Sequence, residues 1–233
     1  MNRFLYLLIV LFLVGCAPSR HIIPLARHEK AISVSVGGPT LRKVRNTFPE
    51  PLVSLTYAYG KSKNGTRILG LHATAASEGF YIVEYGYLKE WWFNNKRNIG
   101  FTTNMVANVG LDKSDMDVSF YPQLDANFYW HYHGDPHYYC DCPSDGKFMK
   151  YLYIGLTSYV RAYSKEKFRV PFNNDVLIAP HIGYNLGGKK WKLNAEIKWL
   201  QPWANNTDFD YEIWNPAGKS GTFGGYFSIY KFF

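Results

Sequence analysis

Apolar and polar residues alternate along most of the chain, most cleanly between Trp191 and Trp199. Because successive side chains of a strand point to opposite faces, the odd positions here form an apolar face that begins and ends with an indole. The even positions carry Lys192, Asn194, Glu196 and Lys198. A soluble sandwich strand has the same alternation, but an apolar band of about nine residues between two tryptophans is typical of a strand that crosses a membrane between aromatic girdles.

The same period of two recurs in nine further segments and predicts ten strands. With the segment above they are residues 32–36, 53–59, 69–75, 80–88, 99–109, 118–130, 151–161, 176–186, 191–199 and 222–233. Asn64-Gly65 is a strong hairpin signal, Gly37-Gly38-Pro39 is expected to end the first strand, and Pro122 and Pro180 count against central strands because proline cannot donate to a ladder. The predicted fold is all-β, an antiparallel up-and-down barrel of about ten strands, with eight possible.

The N-terminus carries an export signal. An apolar run from Phe4 to Val14 follows Arg3 and is too short to span a bilayer as a helix, so it predicts the core of a signal peptide. The motif Leu13-Val14-Gly15-Cys16 that follows resembles the lipobox of bacterial lipoproteins, in which the cysteine is acylated and becomes the mature N-terminus. The alternative is an ordinary secretory signal with an incidental cysteine. We therefore expect a lipoprotein signal peptide at 1–15, a lipidated tether at 16–30 and a barrel at 31–233.

The C-terminus agrees with this interpretation. Phe233 shares a face with Ile229 and Phe227 and resembles the last strand that the outer-membrane assembly machinery recognises, although Lys231 departs from that pattern. Together the two ends are similar to those of small outer-membrane β-barrel lipoproteins of Gram-negative bacteria. The resemblance implies an outer-membrane location, a covalent lipid such as palmitate on Cys16, and two partners: outer-membrane lipid and the assembly machinery.

Charge narrows the set of partners. The chain has a formal net charge of +8, which suits contact with anionic lipid headgroups or acidic solutes. Nucleic acid is the other common partner of a basic chain, but the export signal argues against it. The oligomeric state is left open by the sequence.

A cluster of histidines and cysteines is the most suggestive chemistry. Imidazoles and thiolates are ligands that zinc or copper would take, and the cluster consists of His131, His133, His137, Cys140 and Cys142. Its spacing matches no specific metal motif, so packed histidines, a Cys140–Cys142 disulfide and free thiols remain alternatives. Strand parity places this long loop at the same end as the chain termini, where turns are usually short.

Polar residues on the inferred inner face are the second candidate site: His72, Asp125, Arg161, His181, Lys192, Glu196 and Lys198. A histidine with a carboxylate could activate a serine or water, but narrow barrels are also filled by charges that pair with one another. We therefore expect a non-enzymatic structural, surface or solute- or ligand-binding barrel. A membrane-embedded hydrolase acting on lipid or peptide is one alternative, and a soluble lipocalin-like barrel with inward apolar faces, tethered by lipid, is another.

Overall fold

The computed structural model describes residues 21–43, 46–49, 52–73, 76, 80–113, 118–133, 149–160, 176–205, 212–213 and 220–233. These residues contain twelve strands. The strands are β1 (Lys30–Lys43), β2 (Asn46–Pro49), β3 (Leu52–Ser62), β4 (Gly65–His72), β5 (Phe80–Asn94), β6 (Ile99–Asp112), β7 (Val118–His133), β8 (Met149–Val160), β9 (Val176–Gly187), β10 (Trp191–Asn205), β11 (Glu212–Ile213) and β12 (Ser220–Phe232). No helix within these ranges is long and apolar enough to cross a membrane.

Ten long strands close into an antiparallel barrel. Each pairs with its neighbour in sequence from β3 to β10, β10 pairs with β12, and β1 pairs with both β12 and β3. The seam is complete along β1, where Val34 lies opposite Ile229 on one side and Leu55 on the other. The predicted all-β, up-and-down barrel of ten strands is therefore confirmed.

The first strand is longer than the sequence predicts. Strand β1 continues through Gly37-Gly38-Pro39 to Lys43, and its extension pairs with the short strands β2 and β11. The two glycines remain in register with Tyr226 and Gly225 of β12, so they do not end the strand as predicted. Strands β2 and β11 flank this extension and lengthen the sheet at the end of the barrel away from the start of β1.

The two prolines lie inside barrel strands, against the prediction. Pro122 is opposite Ala107 of β6, and Pro180 is opposite Leu156 of β8. On its other side each proline lies one residue beyond the last paired position, since the β7–β8 ladder ends at Gln123 and the β9–β10 ladder ends at His181. A missing N–H is tolerated where one of the two ladders has already ended.

The apolar face of every long strand points outward. On β10, Trp191, Ala195 and Ile197 are exposed, whereas the intervening lysines, asparagine and glutamate are buried. The same division holds around the barrel, so its outer surface is apolar and its interior is polar. An apolar outer surface around a polar interior is typical of a barrel whose strands face lipid. It excludes the soluble lipocalin-like alternative, which requires apolar faces that point inward.

The two ends of the barrel differ in their connections. The end that holds the start of β1 and the end of β12, here called the terminal end, has turns at 63–64, 95–98 and 188–190. The fourth connection at this end, 134–148, is the predicted histidine and cysteine loop, so the strand count was right and this one turn is long. The opposite end carries longer connections. Short turns on one side and longer loops on the other are typical of outer-membrane barrels, whose short turns face the periplasm.

Glycines on the inner face make room for large side chains on the next strand. Gly100 of β6 lies opposite Tyr129 of β7, and a Cβ atom on Gly100 would collide with the Tyr129 ring. Gly183 of β9 is related to Tyr153 of β8 in the same way. The interior of this narrow barrel is therefore filled by large side chains placed opposite residues that have none.

A charge on the outer face should destabilise the barrel. Ala195 lies midway between Trp191 and Trp199, so Ala195→Lys would place an ammonium group near the centre of the bilayer. We expect a loss of about 2–4 kcal/mol in the free energy of unfolding, measured by urea titration in phospholipid bilayers. Ala195→Leu is the matched control and should be neutral or stabilising. Equal stability of the lysine and leucine variants would mean that this face does not contact lipid.

Candidate functional site

The chain upstream of β1 lies inside the barrel. Residues 21–29, here called the plug segment, fall within the region that the sequence assigned to a tether, yet Ile22 and Leu25 are almost completely buried. The Leu25 amide donates to Thr66 Oγ1 at 2.7 Å, and Thr102 Oγ1 donates to the Ile22 carbonyl at 2.8 Å. Because these two threonines project inward from β4 and β6, the hydrogen bonds attach the plug segment directly to the barrel wall.

Apolar contacts hold the plug segment at Ile22 and at Leu25. Ile22 packs in a buried cluster with Tyr129, Tyr151 and Tyr153. Leu25 packs in a second cluster with Ala31, Ala58, Ile68, Leu88, Tyr230 and Phe232. These partners come from seven of the ten barrel strands, on opposite sides of the lumen, so the plug segment spans the lumen near the terminal end.

The plug segment also follows the backbone of β3 closely. The His28 amide donates to the Gly60 carbonyl at 2.8 Å, and the Gly60 amide donates to the Glu29 carbonyl at 2.9 Å. A Cβ atom on Gly60 would collide with the Ala26 carbonyl. Glycine at this position therefore permits the plug segment to dock.

The middle of the lumen contains a hydrogen-bonded polar network. Lys198 Nζ lies 3.4 Å from Glu196 Oε1 and donates to Thr157 Oγ1 at 3.2 Å. His181 contacts the same threonine through Nδ1 at 3.3 Å. Tyr153 donates to Glu196 Oε2 at 2.7 Å. The structure thus brings together three of the predicted lumen residues, His181, Glu196 and Lys198, and adds two that the sequence analysis did not select.

The remaining predicted lumen residues lie in separate places. Asp125 accepts hydrogen bonds from Gln123 and Asn104. His72 Nε2 lies 3.2 Å from Glu84 Oε2, and the Lys192 ammonium lies 4.4 Å from the centroid of the Phe232 ring. Arg161 lies outside the described residues.

Sequence reasoning missed two buried acids, Glu84 and Glu90. Both project inward from β5: Glu84 pairs with His72, and Glu90 accepts a hydrogen bond from Tyr129. The alternation of β5 already placed Glu84 on the inner face. The alternation alone could therefore have identified Glu84 as a lumen residue. Its contact with His72 on the neighbouring strand could not be predicted, because it depends on the register between the strands.

Large inward side chains fill much of the described lumen. Lys198, Glu84, Tyr153 and Tyr129 each have less than 2% of their surface accessible. At the terminal end, the space left between the plug segment and the wall has room for about one water molecule. The described inner side chains therefore leave little space around the plug segment.

The predicted metal cluster is described only in part. His131 is buried and faces inward, with its ring centroid 5.4 Å from that of Tyr129 and 5.3 Å from that of Tyr151. The described residues contain no group of three or more metal-ligating side chains. The side chain of His133 and all of His137, Cys140 and Cys142 lie outside the described residues, and so does Cys16. Metal binding and the Cys140–Cys142 disulfide remain predictions.

Comparison with known proteins finds solved barrels of low similarity. No protein-family model and no curated protein sequence matches the chain. LpxR from Salmonella typhimurium aligns with 88% of this chain and 100% of its own at 8% identity and a TM-score of 0.45. The NanC porin aligns with 88% of this chain and 99% of its own at 10% identity and a TM-score of 0.40. OprG from Pseudomonas aeruginosa aligns with 91% of this chain and 97% of its own at 10% identity and a TM-score of 0.26. No activity transfers from these proteins at such identities.

The fold and the lumen together define a class of protein. An outward apolar surface, aromatic residues at both ends of the strands and a polar interior make the chain an outer-membrane-type β-barrel. Its lumen is filled by paired polar side chains and by the plug segment.

Acidification should loosen the plug segment through His21. Burial, and secondarily the positive charge of Lys192, lower the His21 pKa from 6.5 to about 3, and its ring centroid lies 4.8 Å from that of Tyr230. A released His21 would take up a proton below pH 6.5, whereas the docked residue resists protonation down to about pH 3. The stabilisation that neutral His21 gives to docking is therefore complete above pH 6.5 and declines as the pH falls from about 6.5 to about 3.

Hydrogen exchange of residues 21–29 tests this prediction. Protection in the wild-type protein should fall between pH 7 and pH 4.5, and His21→Phe, which retains an aromatic ring but cannot titrate, should show a much smaller change. Comparing the two proteins at each pH cancels the intrinsic pH dependence of exchange. The same fall in protection for both would assign the effect to another group.

Proposed function

We propose that this protein is an outer-membrane lipoprotein with a closed barrel and a non-enzymatic structural or surface role. The observation that carries the proposal is the lumen, in which many of the buried polar groups bind one another and the plug segment spans the interior. Such an interior favours a structural body over a diffusion pore. Ligand or solute binding, if present, would then depend on the loops and not on passage through the barrel.

The position of the plug segment supports a lipid anchor on Cys16. Only four residues lie between Cys16 and His21, and the five steps of an extended chain at about 3.6 Å each span at most roughly 18 Å. That length allows Cys16 to leave the lumen at the terminal end and to place its acyl chains in the adjacent leaflet. The lipid and the plug segment would then hold the N-terminus at two neighbouring points.

Metabolic labelling with palmitate tests the anchor. The wild-type protein should incorporate label and Cys16→Ser should not, because the thiol is the attachment point. The matched control, Cys140→Ser, should be labelled like the wild type. Equal labelling of wild type and Cys16→Ser would refute lipidation at this residue. Both variants should remain in the membrane, since the barrel itself is inserted.

A second candidate function, hydrolysis of a lipid or peptide, is favoured by one group of inner-face residues. Ser54 of β3 lies directly opposite His72 of β4, and the Ser54 hydroxyl is buried without a hydrogen-bond partner. His72 in turn contacts the buried Glu84 carboxylate. A serine opposite a histidine that is oriented by a carboxylate would become an activated nucleophile if the hydroxyl turned to hydrogen-bond the imidazole.

The chemistry of this set would be acyl transfer. His72 would take the proton of Ser54 as the serine oxygen attacks a carbonyl carbon, and would return it to the departing alcohol or amine. Water would then cleave the acyl-serine, with His72 again transferring the proton. Glu84 would hold the histidine ring and stabilise its protonated form.

A fluorophosphonate probe distinguishes the two functions. If the barrel is a hydrolase, the folded wild-type protein should be labelled on Ser54, and Ser54→Ala and His72→Gln should lose the label. Ser35→Ala is the matched control, because Ser35 is a buried inner-face serine on the adjacent strand. Absence of labelling in the folded wild type would leave the non-enzymatic role as the function.

A further inference from the structure

The terminal end of the barrel is strongly basic. The cationic residues on its rim and turns are Arg27, Lys30, Lys61, Lys63, Arg67, Lys89, Lys96, Arg97, Lys150, Lys189, Lys190 and Lys231. The acidic residues of the described part at this end are Glu29 and Glu90. Glu29 accepts a hydrogen bond from the Ala26 amide, and Glu90 is buried against Tyr129. Among the described residues at this end, cationic side chains therefore outnumber acidic ones by twelve to two.

One basic group lies among aromatic residues on β3, β4 and β5. Arg67 is exposed between Tyr59 and Tyr87, which occupy the paired positions on the two neighbouring strands. On β5, the Lys89 ammonium lies 3.8 Å from the centroid of the Trp91 ring. Neither cation forms an ion pair with a described residue. Aromatic side chains of this kind mark the depth of the lipid headgroups, so both cations lie at headgroup level.

A second basic group lies at the seam of the barrel. The Lys231 ammonium lies 5.5 Å from the Trp191 ring centroid and 5.1 Å from the Phe233 ring centroid. Lys30 is exposed on the adjacent strand, where its amide and carbonyl bind the Phe233 backbone. Lys189 and Lys190 are exposed in the turn before Trp191. This position explains Lys231, which departs from the apolar pattern of the last strand.

We infer that these two groups bind the phosphates of anionic glycerophospholipids in the leaflet at the terminal end. Cations held at headgroup depth by aromatic rings attract anionic headgroups, whereas zwitterionic headgroups offer no net charge to neutralise. The short turns assign this end to the periplasmic side, so the adjoining leaflet is the inner one. The inference rests on insertion of the barrel, and it is independent of lipidation at Cys16 and of any enzymatic activity.

Lipid retention by the full-length protein tests the inference. The protein is reconstituted in vesicles that contain phosphatidylglycerol and phosphatidylcholine, and the lipids that remain bound after extraction are counted by native mass spectrometry. The wild type should retain phosphatidylglycerol in preference to phosphatidylcholine. Arg67→Gln with Lys89→Gln should reduce that preference by roughly five-fold per charge removed, and Lys30→Gln with Lys231→Gln should do the same.

Two controls make the result specific. Lys113→Gln removes an exposed charge at the opposite end and should leave retention unchanged, and Lys89→Arg with Lys231→Arg should retain the preference. Heat-modifiable gel mobility verifies that each variant is folded. The inference is overturned if the wild type shows no preference, if Lys113→Gln weakens retention as much as the rim variants do, or if lipid A displaces phosphatidylglycerol from the wild type.

Discussion

The constraint on which this structure depends is the pairing of every backbone amide and carbonyl in a medium that contains no water. A sheet in lipid meets it only by closing, because an open edge would leave a row of unpaired groups. Strand β1 provides the closure by pairing with β3 and β12 along its length. Pro122 and Pro180, which lack a donor, lie where one of the two adjacent ladders has already ended.

Closure with ten strands leaves an interior that must be filled by the inward residues themselves. Strands that face lipid on one side expose mainly their polar side chains to this interior, and buried polar groups are costly unless they are paired. The Lys198, Glu196 and Tyr153 contacts satisfy that requirement, as do those of Asp125 with Gln123 and Asn104. Glycines opposite Tyr129 and Tyr153 provide the volume that these rings need. A filled interior thus follows from the narrow barrel without reference to a reaction.

The terminal end combines three features that together suggest how the protein is oriented and held. The plug segment is attached there to β3, β4 and β6, the turns are mostly short, and the rim carries excess positive charge at headgroup depth. The plug segment is held by hydrogen bonds and apolar packing, the short turns follow from the chain topology, and the rim acts through electrostatic attraction. Under the proposals above, the lipid anchor and the electrostatic contacts with anionic headgroups would lie in the leaflet at this end.

The sequence by itself determined the strand number and the face that each strand presents, because a period of two assigns every side chain of a strand to one of two sides. It therefore placed Ile197 outward and Glu196 inward correctly, and it placed the 134–148 loop at the terminal end. It could not determine which inward residues meet, since the contact of His72 with Glu84, or of Tyr153 with Glu196, depends on register and on closure between strands distant in sequence. It also interpreted residues 21–29 as tether, because a segment without periodicity has no local signal for burial. Only the tertiary structure decided that this segment lies in the lumen, where Ile22 and Leu25 pack against apolar and aromatic side chains from strands on opposite sides of the barrel.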